Sequence, residues 1–75
     1  MNFEAGDLVE VWDGDVRRWV TGTVEGLSTF PVRPGQVFVM VRADRPDPGP
    51  IAVEKVPSVY AIAAGDHGFI RRRRD

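Results

Sequence analysis

Asp13 and Asp15 flank Gly14, and a carboxylate pair at that spacing is the first arrangement in this chain suited to general acid–base chemistry. Such work needs one carboxyl buried with a raised pKa beside a second that stays ionised. A glycine-containing turn leaves both solvated, so catalysis is not expected of them. The pair also falls short of the about six oxygen ligands a calcium ion requires. His67 is the single histidine, with Asp66 before it and Gly68 after it. A metal centre or a nucleophile–base pair needs further ligands or a serine within reach, so His67 reads as a solvated side chain. The chain has no cysteine, which excludes thiolate zinc sites and disulfide frameworks. No nucleophile, base and orienting group occur together, so no enzyme activity, cofactor or metal is expected.

The side chains suited to binding are aromatic and cationic. Trp12 and Trp19 flank the Asp13-Gly14-Asp15 turn. They suit either a platform for a peptide or a base, or closure of a small core. Phe38 and Met40 alternate along the most apolar segment, as a covered layer or a partner patch, and Tyr60 completes the aromatic set. Arg71, Arg72, Arg73 and Arg74 form a run that fits phosphates or an acidic protein surface. The same run also suits a solubilising tail, or one that folds back on the body. Residues 1–70 hold six basic and ten acidic groups, a balance of -4, while residues 71–75 carry +3, so the net charge of -1 is a cancellation. An acidic body argues against a protein that coats duplex nucleic acid.

These side chains need a scaffold, and 75 residues make one small domain. Twelve valines against two leucines argue for strands over a helical bundle. Leu8–Trp12 alternates as a strand after the Gly6-Asp7 turn. Arg18–Leu27 is a second strand, with Gly22 and Gly26 at bends. Ser28–Gln36 reads as a long loop, Val37–Ala43 as the strongest strand, central or covered at one end, and Asp44–Pro50 as a proline-rich turn. Ile51–Val56 reads as a fourth strand, and Pro57-Ser58 as the cap of a helical turn through Val59 and Tyr60. Tyr60–Ala63 fits a last short strand or a helical turn, Phe69-Ile70 docks on the core edge, and residues 71–75 form a frayed, disordered basic tail. The first four residues show no basic stretch before an apolar core, and no apolar run approaches the ~20 residues of a membrane span. A cytoplasmic protein without a membrane partner is expected.

Gly6-Asp7-Leu8-Val9-Glu10-Val11, followed by Trp19-Val20-Thr21-Gly22-Thr23-Val24, resembles the small SH3-like barrels of the Tudor, Agenet and KOW type over about residues 6–63. The resemblance implies an all-β fold, a barrel of four to five strongly bent antiparallel strands. Members of that group bind methylated or proline-rich peptides, bind nucleic acid, or serve as structural domains. The sequence departs from the methyl-lysine readers in lacking a tyrosine-rich cage, and from KOW-type members in lacking a basic face. The leading expectation is a non-enzymatic protein-interaction module, a regulator or inhibitor of a larger cytoplasmic protein. The alternatives are a nucleic-acid-binding domain using the aromatic residues and the arginine run, and a structural or assembly subunit. Homodimerisation is a further route to burial for so small a core.

Overall fold

The computed structural model describes residues 3–46 and 56–73. Among them the chain forms five strands, β1 (Leu8–Asp13), β2 (Arg18–Phe30), β3 (Arg33–Ala43), β4 (Val59–Ala63) and β5 (Ile70–Arg72), with a single 3₁₀ turn at His67–Phe69. All pairings are antiparallel, in the order β4-β3-β2-β1-β5.

The alternation in β1 sends Val9, Val11 and Asp13 to one face and Glu10 and Trp12 to the other. Val9 and Val11 face Gly22 and Val20 of β2 in register. The loop that turns β1 into β2 is tied by Asp13. Its Oδ1 accepts the Asp15 amide at 2.8 Å and the Val16 amide at 3.2 Å, while its carbonyl accepts the Arg17 amide. This side chain-to-backbone closure is what aspartate offers a turn, and it carries Arg17 at φ 57.

β2 has two partners in succession. Its first half pairs with β1, and from Gly22 onward it pairs with β3. A β-bulge lies between the pairs Val24↔Val41 and Gly26↔Met40, with Gly26 at φ 147, a value that favours glycine. The one-residue slip exchanges the faces of everything beyond it. Leu27 then opposes Val39 on the core side, and Ser28 opposes Phe38 on the outer side.

The buried face holds Val9, Val11, Val24 and Val41, fully enclosed, together with Val39, Ile70 and Phe3. Full burial of one such valine contributes about 1.5 kcal/mol or more. Tyr60 and Ile62 of β4 pack against this cluster, and a second one joins Val20, Ala43 and Val56.

Several sequence expectations are corrected here. The sheet is open: β4 and β5 are its edges, and they do not pair with each other among the described residues, so no SH3-like barrel forms. Closure needs an edge strand to carry its ladder to the far side. β5 spends its three residues on β1, and among the described residues β4 pairs only with β3. The two strings that carried the resemblance encode a locally paired hairpin, which is compatible with either architecture. The long loop over Ser28–Gln36 is instead a hairpin end, with β2 running to Phe30 and β3 starting at Arg33. Its irregularity is confined to Pro34-Gly35-Gln36, which lie between the pairs Phe30↔Arg33 and Thr29↔Val37, with Gly35 at φ 81. Val59 and Tyr60 are strand residues rather than a capped helical turn, because the free edge of β3 offers them a ladder; the Ser58 carbonyl accepts the Ala43 amide at 2.9 Å. Arg71 and Arg72, read as the start of a frayed tail, are strand residues paired with Glu10 and Val9. The expected strand at Ile51–Val56 lies outside the described residues except for Val56, which is buried.

Candidate functional site

The outer face of the sheet carries Trp12 and Trp19, directly opposite each other at the start of the β1–β2 hairpin. Their rings meet edge to face, with centroids 5.7 Å apart. Both are partly exposed, and neither belongs to the valine core. Glu10, two residues before Trp12, faces Thr21 on one side and Arg71 on the other. Arg71 Nε donates to Glu10 Oε1 at 2.8 Å, and its guanidinium lies 3.8 Å from the centre of the Trp19 ring. The result is an indole pair with one face overlaid by a paired cation.

Phe38 and Met40 share this outer face but sit toward its other end, opposite Ser28 and Gly26, nine and seven residues along β2 from Trp19. There Phe38 meets Phe30 edge to face at 5.1 Å. Phe30 was not singled out in the sequence, because only the bulge at Gly26 places it on the side of Phe38. Tyr60 lies on the opposite, buried face, so the sequence candidates divide into two outer patches and one buried group.

Tyr60 has a distinct role. Its hydroxyl donates to Asp13 Oδ2 at 2.6 Å, while the Asp15 and Val16 amides occupy Oδ1. Asp13 is 7 % exposed, which corrects the expectation that both turn carboxylates are solvated; Asp15 is the exposed one. Burial on its own pushes the Asp13 pKa up. The Tyr60 hydroxyl, the two amides and the Arg18 charge outweigh it and hold the group below its ordinary 3.8. Burial, followed by the hydrogen bond and charge of Asp13, raises the Tyr60 hydroxyl well above 10.0. With its acceptor positions occupied by donors, Asp13 is a structural anion.

The arginine run is stitched to the acidic body. Arg71 pairs with Glu10, Arg72 with Asp7 at 3.1 Å, and Arg73 with Asp44 at 2.8 Å. Arg72 also lies 5.0 Å from the Phe3 ring. The Glu4 amide first, and then Arg72, hold the Asp7 carboxyl below its usual range. Arg73 Nη2 donates to the Gly22 carbonyl at 2.7 Å, and the other oxygen of Asp44 accepts from Thr23. Arg74 lies outside the described residues. The charge asymmetry of the sequence is thus answered within the chain, and charged side chains on a short edge strand discourage pairing with another molecule.

Unequal costs are expected along this run. Arg71→Ala removes a half-exposed pair and should lower stability by less than about 1 kcal/mol. Arg73→Ala removes a 14 % exposed guanidinium from both a carboxylate and a carbonyl, and should cost about 2 kcal/mol. Thermal melts of the two variants check the ranking, and equal losses would count against it.

His67 sits exposed in the 3₁₀ turn. Among the described residues no three histidine, cysteine, aspartate or glutamate side chains gather as metal ligands. None of their helices is long and apolar enough to cross a membrane.

A cleft of about 180 Å³ opens beside Trp19, lined by Arg18, Trp19, Val20, Thr21, Arg45 and Val56. Arg45 stands in a proline-rich stretch with no local pattern that marks it as a site residue. Comparison with protein-family models, curated proteins and solved structures returns no match.

Proposed function

We propose that this chain is a non-enzymatic protein-interaction module whose contact surface is the outer face around Trp12 and Trp19. The observation that carries the reading is the position of the two tryptophans. A chain with one small valine core places its largest apolar side chains outside that core, partly exposed and locked edge to face. Tryptophan and arginine are the residue types most enriched at interface hot spots, and Arg71 lies against Trp19. Arg71, Arg72 and Arg73 share their charge with carboxylates of the same chain, which fits a mixed-charge protein contact better than a basic strip along a phosphate backbone.

The test is affinity capture from lysate with wild-type protein and with Trp12→Ala. Trp12 touches Trp19 but does not line the Arg18–Arg45 cleft. The variant should stay folded, with a melt lowered by the loss of one aromatic pair worth about 1 kcal/mol, and lose recovery of the bound protein by about tenfold or more, as for an interface hot spot. Equal recovery by both proteins would overturn the reading, as would retention of nucleic acid in place of any protein.

A further inference from the structure

We infer that the cleft between Arg18 and Arg45 is the charged anchor of this interaction surface, and that it takes an acidic side chain of a peptide segment with an apolar residue next to it. The inference rests on the protein-interaction reading and specifies the chemistry of the partner.

Arg18 and Arg45 are both exposed, and neither has a carboxylate within ion-pair distance among the described residues. Two nearby acids among the described residues take their hydrogen bonds from other groups. Asp13, opposite Arg18, feels the Arg18 charge but accepts from Tyr60, Asp15 and Val16. Asp44, before Arg45, accepts from Thr23 and Arg73. Arg71, Arg72 and Arg73, by contrast, each lie against a carboxylate. Two guanidiniums that line one cleft, with no carboxylate within ion-pair distance among the described residues, offer the planar, forked donors that carboxylates match.

The remaining lining selects among anions. Besides the two arginines the cleft is lined by Trp19, Thr21 and the buried Val20 and Val56. The volume of about 180 Å³ is below the roughly 300–1,000 Å³ of small-molecule sites, so the cleft suits a side chain or two rather than a cofactor. A phosphate group has no apolar atoms of its own to set against Val20 and Val56. An aspartate or glutamate beside an aliphatic or aromatic residue matches both the arginines and the valines of the lining. The acidic balance of residues 1–70 makes this cationic spot a local exception, which favours register and orientation over general attraction.

The experiment selects a displayed library of random nine-residue peptides on the wild-type protein and challenges the binders with Arg18→Glu, Arg45→Glu and Arg18→Gln proteins whose folding is checked by thermal melts. Arg18→Gln guards against repulsion between a new carboxylate and Asp13. The expected result is enrichment of Asp or Glu next to an apolar residue. Affinity should fall about tenfold or more for each charge reversal and weaken with salt. Binders without acidic enrichment, or binders indifferent to Arg18 and Arg45, would overturn this inference and leave the Trp12–Trp19 surface standing. Recovery of no binders at all would overturn both readings. A single-stranded oligonucleotide that binds more tightly than any peptide, and in an Arg18- and Arg45-dependent way, would reassign the cleft to phosphate.

Discussion

Gly22→Val should abolish or nearly abolish folding, and Gly22→Ala should cost about 3 kcal/mol, near the upper end for overpacking a well-filled core. Gly22 lies on the buried face between Val9 of β1 and Ala43 of β3. A Cβ built there would stand 2.6 Å from Val41 Cγ1 and 2.9 Å from the Arg42 carbonyl oxygen. Val41 is fully buried and the carbonyl is backbone, so neither yields without moving a strand. Elsewhere Gly→Ala at a compatible backbone angle stabilises by about 0.4–1 kcal/mol through the unfolded chain. Gly14 tests that contrast, since nothing lies within 4 Å of its added Cβ, and Gly14→Ala should be neutral or slightly stabilising. A domain of this size has roughly 4–11 kcal/mol of stability in total, so the Gly22 substitutions take a large share of it. Denaturant unfolding of the three variants decides the matter; a Gly22→Ala protein as stable as wild type would show that β1 and β3 can separate at no cost.

The second large effect is expected at the Asp13–Tyr60 bond. Asp13→Ala leaves the Tyr60 hydroxyl and the Asp15 and Val16 amides without their acceptor, and should cost about 3 kcal/mol. Tyr60→Phe removes one donor and should cost about 1.5 kcal/mol. The pH dependence follows from the directions of the two shifts. Asp13 titrates below 3.8 in the native state, so its contribution is present above that value and is lost as pH falls through the native pKa. Asp7 acts in the same sense. Tyr60 is raised above 10.0, so its contribution is complete below pH 10 and declines as pH rises beyond it. Stability should therefore be flat between about pH 5 and 9 and fall on both sides. Tyr60 is the single tyrosine in the chain, so tyrosinate absorbance reports on it alone. In native protein that absorbance should not appear at the ordinary midpoint of 10.0 but only with unfolding at higher pH, and Tyr60→Phe should lose the alkaline decline. An ordinary tyrosinate midpoint in folded protein would refute the buried bond.

Much of the strand content was legible because it is local. Val9 and Val11 alternate with charged and aromatic neighbours, and Asp13-Gly14-Asp15 turns the chain back, so the first hairpin is written in consecutive residues. The strand over Val37–Ala43 was legible for the same reason, although it is only part of β3 and the central place in the sheet belongs to β2. The face of Phe30 was not, because it depends on a bulge at Gly26 whose position is set by pairing with Met40 rather than by any pattern within β2. The inward turn of Asp13 was hidden as well. Its burial depends on Tyr60, 47 positions away in sequence, and a turn read alone shows only solvent.

Composition and local pattern are enough to mark a small, cysteine-free, valine-rich β domain with an acidic body and a basic C-terminal run. They also single out its aromatic and cationic side chains as candidates for binding. Three further matters depend on tertiary structure. It left the sheet open, because closure depends on how the edge strands pair, and β5 spends its short ladder on β1. It made Arg71 and Arg72 part of a strand and seated Arg73 beside it, because Glu10, Asp7 and Asp44 lie where these successive arginines reach them. It placed the tryptophans outside the core and brought Arg18 and Arg45 to one cleft, because side chains far apart in the chain meet only where strand register and the ends of β2 and β3 put them.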